Sequence, residues 1–412
     1  MTGFVERAKR FCGFLVGIVF FVSGVLKLID PVGAGLVMEE YYHFFHVGFL
    51  DFSSKAVAFL LALTETLAGA ALITGIWRRV VAVTVLSFQG FFTLLTLLLV
   101  IFNPEMDCGC FGEAIHLTHM QTFIKNIVLC VLASASFFPF SSLGHPKKRK
   151  YVSFAIVSSI VVAFAIHSLL FIPLVDFTDY KPSVQLSSSQ SFSETSGSGD
   201  MYDAVFVYEK DGVQKEFRLE SLPDSTWTYI STRTVMKEDG HNGGSDLRVT
   251  LPVIGRDGNY HNELAADGPV MVVSIYNPES LSLKRWNRIA DFVSESASEG
   301  FIPLVLVSST PQVLDEVMME LDSPEITSGL MNYIWYSDYK ALISMNRSNG
   351  GITYFHDGYL LRKWASLNYP DSDDLSSTSV SDATEILLSY STKGTISFQG
   401  LMLVLFAVML LV

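Results

Sequence analysis

The sequence predicts an all-α membrane bundle that carries a soluble α/β domain, and three observations support this. Long apolar runs crowd into the first 175 residues and recur once at the C-terminus. The connections between these runs alternate between Lys/Arg-rich and Asp/Glu-rich. A long acidic stretch separates the two apolar zones. Half of the 412 residues are hydrophobic, and it is their clustering that marks a membrane protein and not a large soluble core. The net charge of −13 resides mainly between residues 176 and 395. That balance excludes a nucleic-acid partner, because phosphate binding needs clustered Lys and Arg.

The first apolar run, residues 11–28, follows Arg7, Lys9 and Arg10. It is long for a signal peptide and no small-x-small site follows it, so it reads as an uncleaved helix. Further runs cover residues 56–76, 80–102, 123–140 and 152–175. Each is long enough to cross about 30 Å of hydrocarbon at about 1.5 Å per residue. The first four form a four-helix module over residues 1–140. A basic loop and a fifth, tethering helix occupy 141–176, and residues 396–412 form a C-terminal helix. Arg7, Lys9 and Arg10, then Arg78 and Arg79, then Lys147, Lys148, Arg149 and Lys150 fall on one side of the membrane. Asp30, Glu39, Glu40 and Asp51, then Glu105, Asp107 and Glu113, fall on the other. The positive-inside rule then predicts a multi-pass inner-membrane protein with a cytoplasmic N-terminus and a periplasmic main domain. Membrane lipid is one expected partner, and an extracytoplasmic client protein docked by the outer domain is the other.

Residues 177–200 are Ser-rich and read as a linker. A β-rich segment follows over 201–268, with a hairpin signal at Asp211-Gly212. Residues 269–368 alternate strand and helix patterns: strands at 270–276, 302–307 and 333–336, helices at 283–297, 313–321 and 340–345, then a hairpin around Asp357-Gly358. This order resembles a thioredoxin fold. A thioredoxin enzyme carries a Cys pair after the first strand of such a unit, where this chain reads Tyr276-Asn277-Pro278-Glu279-Ser280. Gly350-Gly351 stands where a proline is expected. The outer segment contains no Cys, so it cannot exchange thiols itself.

Four cysteines are present: Cys12, Cys108, Cys110 and Cys130. Cys12 and Cys130 lie inside apolar runs and read as small buried residues. Asp107-Cys108-Gly109-Cys110-Phe111-Gly112 lies at the outer end of the third run. A Cys-x-Cys disulfide closes a small strained ring, and strained disulfides are the oxidising, labile ones. Gly109 lets the backbone bend. Asp107 and Glu113 nearby disfavour a thiolate. Three readings stay open: a redox-active pair, a structural disulfide, and a metal site formed by Cys108 and Cys110 with His116 and His119. His43 and His46 repeat the same His spacing in the other outer loop. Inside the runs, Glu65 and Gln89 are costly unless paired, and read either as a helix–helix hydrogen bond or as a proton path or quinone contact. Lys27 and Lys125 sit near outer ends, where they can snorkel to the interface.

Several of these residues form a pattern: Ser23-Gly24-Val25-Leu26-Lys27, Glu65 with Gly69 and Gly75, Cys108-Gly109-Cys110-Phe111-Gly112, and Thr122-Phe123-Ile124-Lys125-Asn126. Over about residues 10–140 this resembles the DoxX-like superfamily and, within it, the methylamine-utilisation family MauE. The resemblance implies a four-helix module concerned with thiol/disulfide redox or with maturation of a periplasmic enzyme, with a quinone as possible cofactor. Carried over, Cys108 and Cys110 are the redox pair, and Glu65 and Lys125 are motif positions that support it.

Overall fold

The computed structural model describes residues 2–104, 106–138, 148–186, 202–210, 213–218, 228–236, 248–321, 323–387, 389 and 400. The Ser-rich tract 187–199, the Asp211-Gly212 turn, residues 139–147 and the predicted C-terminal helix, Gly400 apart, lie outside them.

The helices in chain order are α1 (Thr2–Ile29), α2 (Pro31–Phe44), α3 (Ser54–Thr74), α4 (Arg78–Phe102), α5 (His119–Phe137) and α6 (Lys148–Leu170), with a short strand β1 (Cys110–Glu113) between α4 and α5. Five of these helices are long and apolar enough to cross a membrane, at the five predicted places. Gly75 ends α3 in the left-handed region, φ 71°. A capping box of Thr118 and Gln121 starts α5 at His119, earlier than its apolar run. The stretch after α1 is not a plain loop, because Asp30 caps α2 and Pro31 occupies its first turn.

α1 packs along α3, α4 against α5, and α6 against α3. The α1–α3 crossing is close because Gly24 has no side chain: a Cβ there would strike the Thr66 hydroxyl and lie 2.6 Å from its backbone N. Small residues at such crossings are the usual means by which membrane helices approach. Val16, Phe20, Ala68, Val85 and Leu129 form one buried cluster of the bundle. Leu94, Val131, Val152 and Ile166 point outward.

One end of the bundle gathers the basic connections. Lys9 Nζ donates to Phe138 O at 2.6 Å, and Trp77 meets Tyr151 and Phe154. The opposite end holds α2, β1 and the end of α6, and there the second domain sits.

That domain is built on strands β2 (Gln185–Leu186), β6 (Arg248–Val249), β7 (Pro269–Ile275), β8 (Ile302–Val307), β9 (Ile334–Tyr336), β10 (Gly351–His356) and β11 (Tyr359–Trp364) in the order β6-β2-β11-β10-β7-β8-β9. β7, β8 and β9 run parallel, and β10 and β11 are antiparallel to their neighbours. β3 (Tyr202–Lys210), β4 (Val213–Arg218) and β5 (Thr228–Met236) make a separate antiparallel sheet, order β4-β3-β5. The helices are α7 (Leu283–Ser298), α8 (Pro311–Glu320), α9 (Pro324–Leu330), α10 (Tyr339–Met345) and α11 (Ser372–Val380). β7 is apolar throughout because both faces are covered. Met271, Val273 and Ile275 face Trp286, Ile289 and Phe292 of α7, whereas Val270 and Val272 face Leu342, Ile343 and Met345 of α10.

Two predicted boundaries need correction. The linker does not begin at 177: Tyr180, Val184 and Leu186 are buried in the core, and β2 pairs with β11. The domain also extends beyond 269–368, since Leu251 and Val253 on one side and Leu375 of α11 on the other complete its core.

Candidate functional site

The end of the bundle that meets the sheet domain holds an open-sided cavity of about 350 Å³. Phe91, Phe92, Leu95 and Phe45 form apolar walls, and Cys108, Cys110, Lys27, Glu65 and Lys125 all border it. The predicted redox pair and both predicted supporting residues therefore meet in one place.

The polar floor is a connected network. Lys27 Nζ lies 2.6 Å from Glu65 Oε2, with both side chains largely buried. Ser23 Oγ lies 2.8 Å from Glu65 Oε1 and 2.6 Å from Cys110 O, so its single proton is shared between the carboxylate and the Cys loop. The reading of Lys27 as a snorkelling residue is corrected, since it turns inward to neutralise Glu65. The Glu65–Gln89 bond is corrected too: Gln89 Nε2 donates to Asn126 O at 2.8 Å, and Asn126 Nδ2 reaches Thr96 Oγ1 at 3.2 Å. A carboxylate in an apolar bundle gains far more from an ammonium than from an amide.

The Cys loop is held from three sides. Tyr41 of α2 donates to Cys108 O at 2.9 Å. Gly109 adopts φ +58°, and a Cβ there would collide with Val37 of α2. Lys125 Nζ sits 4.8 Å above the Phe111 ring. All four cysteines are free thiols. Cys108 is buried and Cys110 half-buried. Cys108 Sγ lies 2.9 Å from His119 Nδ1, and His119 Nε2 lies 3.0 Å from Pro104 O. Burial raises the Cys108 thiol above its ordinary value, with Cys110 and Asp107 adding to this and Thr122 and Lys125 opposing it. Burial likewise raises the Tyr41 phenol, which keeps it a donor.

The predicted metal set does not assemble. His116 pairs with Asp107 at 3.1 Å on the surface, and His43 pairs with Asp51 at 3.1 Å. Among the described residues no three His, Cys, Asp or Glu side chains gather. Sequence reasoning missed Tyr41 and Arg347, and read Asp30 only as an outer acidic residue. Arg347, in the loop before β10, pairs with Asp30 at 2.8 Å and with Glu113 at 3.4 Å, three residues past Cys110. Burial pushes Glu113 up, while Arg347 opposes that shift. The Asp30-Pro31 helix start was a readable signal for α2. Nothing in the sequence links Arg347 to it.

Residues 5–139 match the family described as methylamine utilisation protein MauE. Residues 202–239 match a Domain of unknown function (DUF8463). No curated protein and no solved structure matches the chain. The first match spans α1 to α5 and the whole cavity, so the membrane module is MauE-like, and the chain is a multi-pass membrane protein.

Proposed function

We propose that this MauE-like module is a thiol–disulfide redox unit of the inner membrane that serves maturation of extracytoplasmic proteins, with Cys108 and Cys110 as its redox pair. The observation that carries this reading is that both cysteines open onto one intramembrane cavity floored by the Lys27–Glu65 pair. A structural disulfide needs no cavity and no buried charge. The clustering of basic connections at the far end supports placing the Cys loop and the sheet domain outside the cytoplasm.

The cavity residues fit a quinone headgroup: Phe91 and Phe92 offer flat apolar walls, and Lys27, Glu65 and Lys125 offer polar atoms beside them. A bound quinone supplies a two-electron acceptor. The chain's own part is to hold the thiols at the cavity wall through Ser23 and Tyr41, to exclude bulk water, and to hold a proton on the Lys27–Glu65–Ser23 network.

The strand order β9-β8-β7-β10-β11 supports a thioredoxin-like reading of the sheet domain. The end of the sheet where a thioredoxin keeps its Cys pair faces the membrane module. Tyr276 packs under Lys55 Nζ at 4.9 Å and donates to Arg347 O at 3.0 Å. The domain seats the Cys loop through Arg347 and leaves its outer surface for the client protein.

The test is thiol trapping of the reduced full chain in liposomes after addition of a short-chain quinone. The expected result is loss of maleimide labelling at Cys108 and Cys110 together, slowed in Glu65→Gln. Thiols that stay reduced with quinone, together with normal client maturation by Cys108→Ser, would contradict the redox role.

A further inference from the structure

We infer that His119 is the proton acceptor for Cys108, and that one face of α5 is built to generate and hold the Cys108 thiolate. The inference rests on the redox reading above for its purpose, but its geometry is independent of any electron acceptor.

The tautomer follows from the contacts. Pro104 O can only accept a hydrogen bond, so His119 Nε2, 3.0 Å away, carries the ring proton. Nδ1 is left with its lone pair, and that lone pair faces Cys108 Sγ at 2.9 Å. His119 stands at the first position of α5, set there by the Thr118–Gln121 cap. The resting pair is a neutral S–H···Nδ1 contact, in keeping with the buried thiol.

The rest of the face points the same way. His119, Thr122 and Lys125 are spaced three apart, which brings them to one side of a helix. The Thr122 hydroxyl is buried and, among the described residues, has no hydrogen-bond partner, so its proton is free to turn to a Cys108 thiolate, which it and the Lys125 ammonium favour. Three side chains thus act on one sulfur: one takes its proton, one donates to the anion, and one supplies positive charge. The groups that oppose them are Asp107 and Cys110 on the loop itself, and the Tyr41 phenol of α2 donates to the Cys108 carbonyl.

The chemical step balances without another reagent. The Cys108 proton moves to His119 Nδ1, and the thiolate attacks a sulfur of a disulfide-bearing substrate. A Cys108–substrate S–S bond forms as the substrate's own S–S bond breaks. The leaving thiolate takes the proton back from His119. The Cys110 sulfur then attacks Cys108, forming the Cys108–Cys110 bond as the Cys108–substrate bond breaks, and its proton passes to the departing substrate thiolate, which leaves the pair oxidised and the substrate a dithiol; the reverse sequence oxidises a dithiol.

The experiment measures iodoacetamide alkylation of Cys108 in full-length protein carrying Cys110→Ser, read by peptide mass spectrometry, with and without His119→Gln. Removing the base is expected to slow alkylation about a hundredfold near pH 7, the lower range for general-base assistance. The two rates are expected to converge near pH 10, where hydroxide ionises the thiol without help. Equal rates near pH 7, or a deficit that persists near pH 10, would overturn the assignment. Should His119→Gln fail to fold, rescue of His119→Ala by added imidazole is the second test, and absence of rescue counts against it. Alkylation reads proton transfer alone, so it can fail while quinone-dependent oxidation of the pair succeeds, or the reverse.

Discussion

At the residue scale, the site depends on which buried groups are paired. Lys27 and Glu65 neutralise one another in an apolar bundle, so removing one partner strands the other. Glu65→Ala is expected to destabilise the protein by about 3–5 kcal/mol, whereas the double replacement Lys27→Met with Glu65→Leu restores most of that loss. A detergent melt of the four forms measures the cycle, and near-additive losses would contradict the pairing. Gly109 is limited both by its left-handed φ and by Val37. Gly109→Ala is therefore expected to cost about 1–2 kcal/mol from the backbone alone and to shift the Cys108 and Cys110 labelling rates. Cys108 gives a pH dependence with a definite sign. Its folded pKa lies above the thiol's ordinary 9.0, so the native state keeps a proton that the unfolded chain loses. Stability is then expected to fall as pH rises past 9.0 in wild type, and Cys108→Ser should flatten that decline. Cys108, Cys110 and Glu65 were legible because their residue types are costly or rare where they stand, whereas Lys125 entered only through the family resemblance. Gln89 was one of the readings offered for Glu65, and Lys27 was not, because position along a run says nothing of which helix face a residue occupies, or of what faces it.

At the element scale, the five spans were legible because a membrane demands long uninterrupted apolar runs, a signal that survives any tertiary context. α2 was harder to see. Its start is written in Asp30-Pro31, but Gly33 and Gly35 weaken its helical propensity, and its burial comes from neighbours on both sides. Val32 and Leu36 pack on the sheet domain, while Tyr41 and Val37 meet the Cys loop. The β2 strand hid for a similar reason, since two residues inside a Ser-rich tract carry no periodicity. α5 begins earlier than its apolar run because Thr118 and Gln121 cap it reciprocally, and this cap sets where His119 stands. Thr118→Ala is expected to cost about 1 kcal/mol and to slow Cys108 alkylation near pH 7. An unchanged rate with the same melting temperature would separate the cap from the site.

At the scale of the whole molecule, the two halves meet through buried charge. Arg347 reaches Asp30 across 317 residues of chain, and the same guanidinium holds Glu113 next to the Cys loop. Lys363 pairs with Asp176 at 2.5 Å, where the chain leaves α6. Burial lowers the Lys363 ammonium and Asp176 opposes that shift, so the pair depends on its partner staying in place. No local pattern in sequence announces contacts of this range, which is why the succession of strands and helices along residues 269–368 was legible and the seating of the domain was not. Arg347→Met removes the cation from one buried carboxylate, Asp30, and one half-buried carboxylate, Glu113. It is expected to speed amide exchange in residues 107–113 while leaving the buried strand β7 protected. Unchanged exchange in the loop would contradict a seating role.

The central claim, that Cys108 and Cys110 form a working redox pair at the cavity wall, is tested most directly by their reduction potential. The full-length protein is equilibrated across a glutathione or dithiothreitol series and its free thiols are trapped. The account predicts a potential above about −200 mV, among oxidant-type disulfides. A potential below about −300 mV, or no disulfide at any poise, would contradict it.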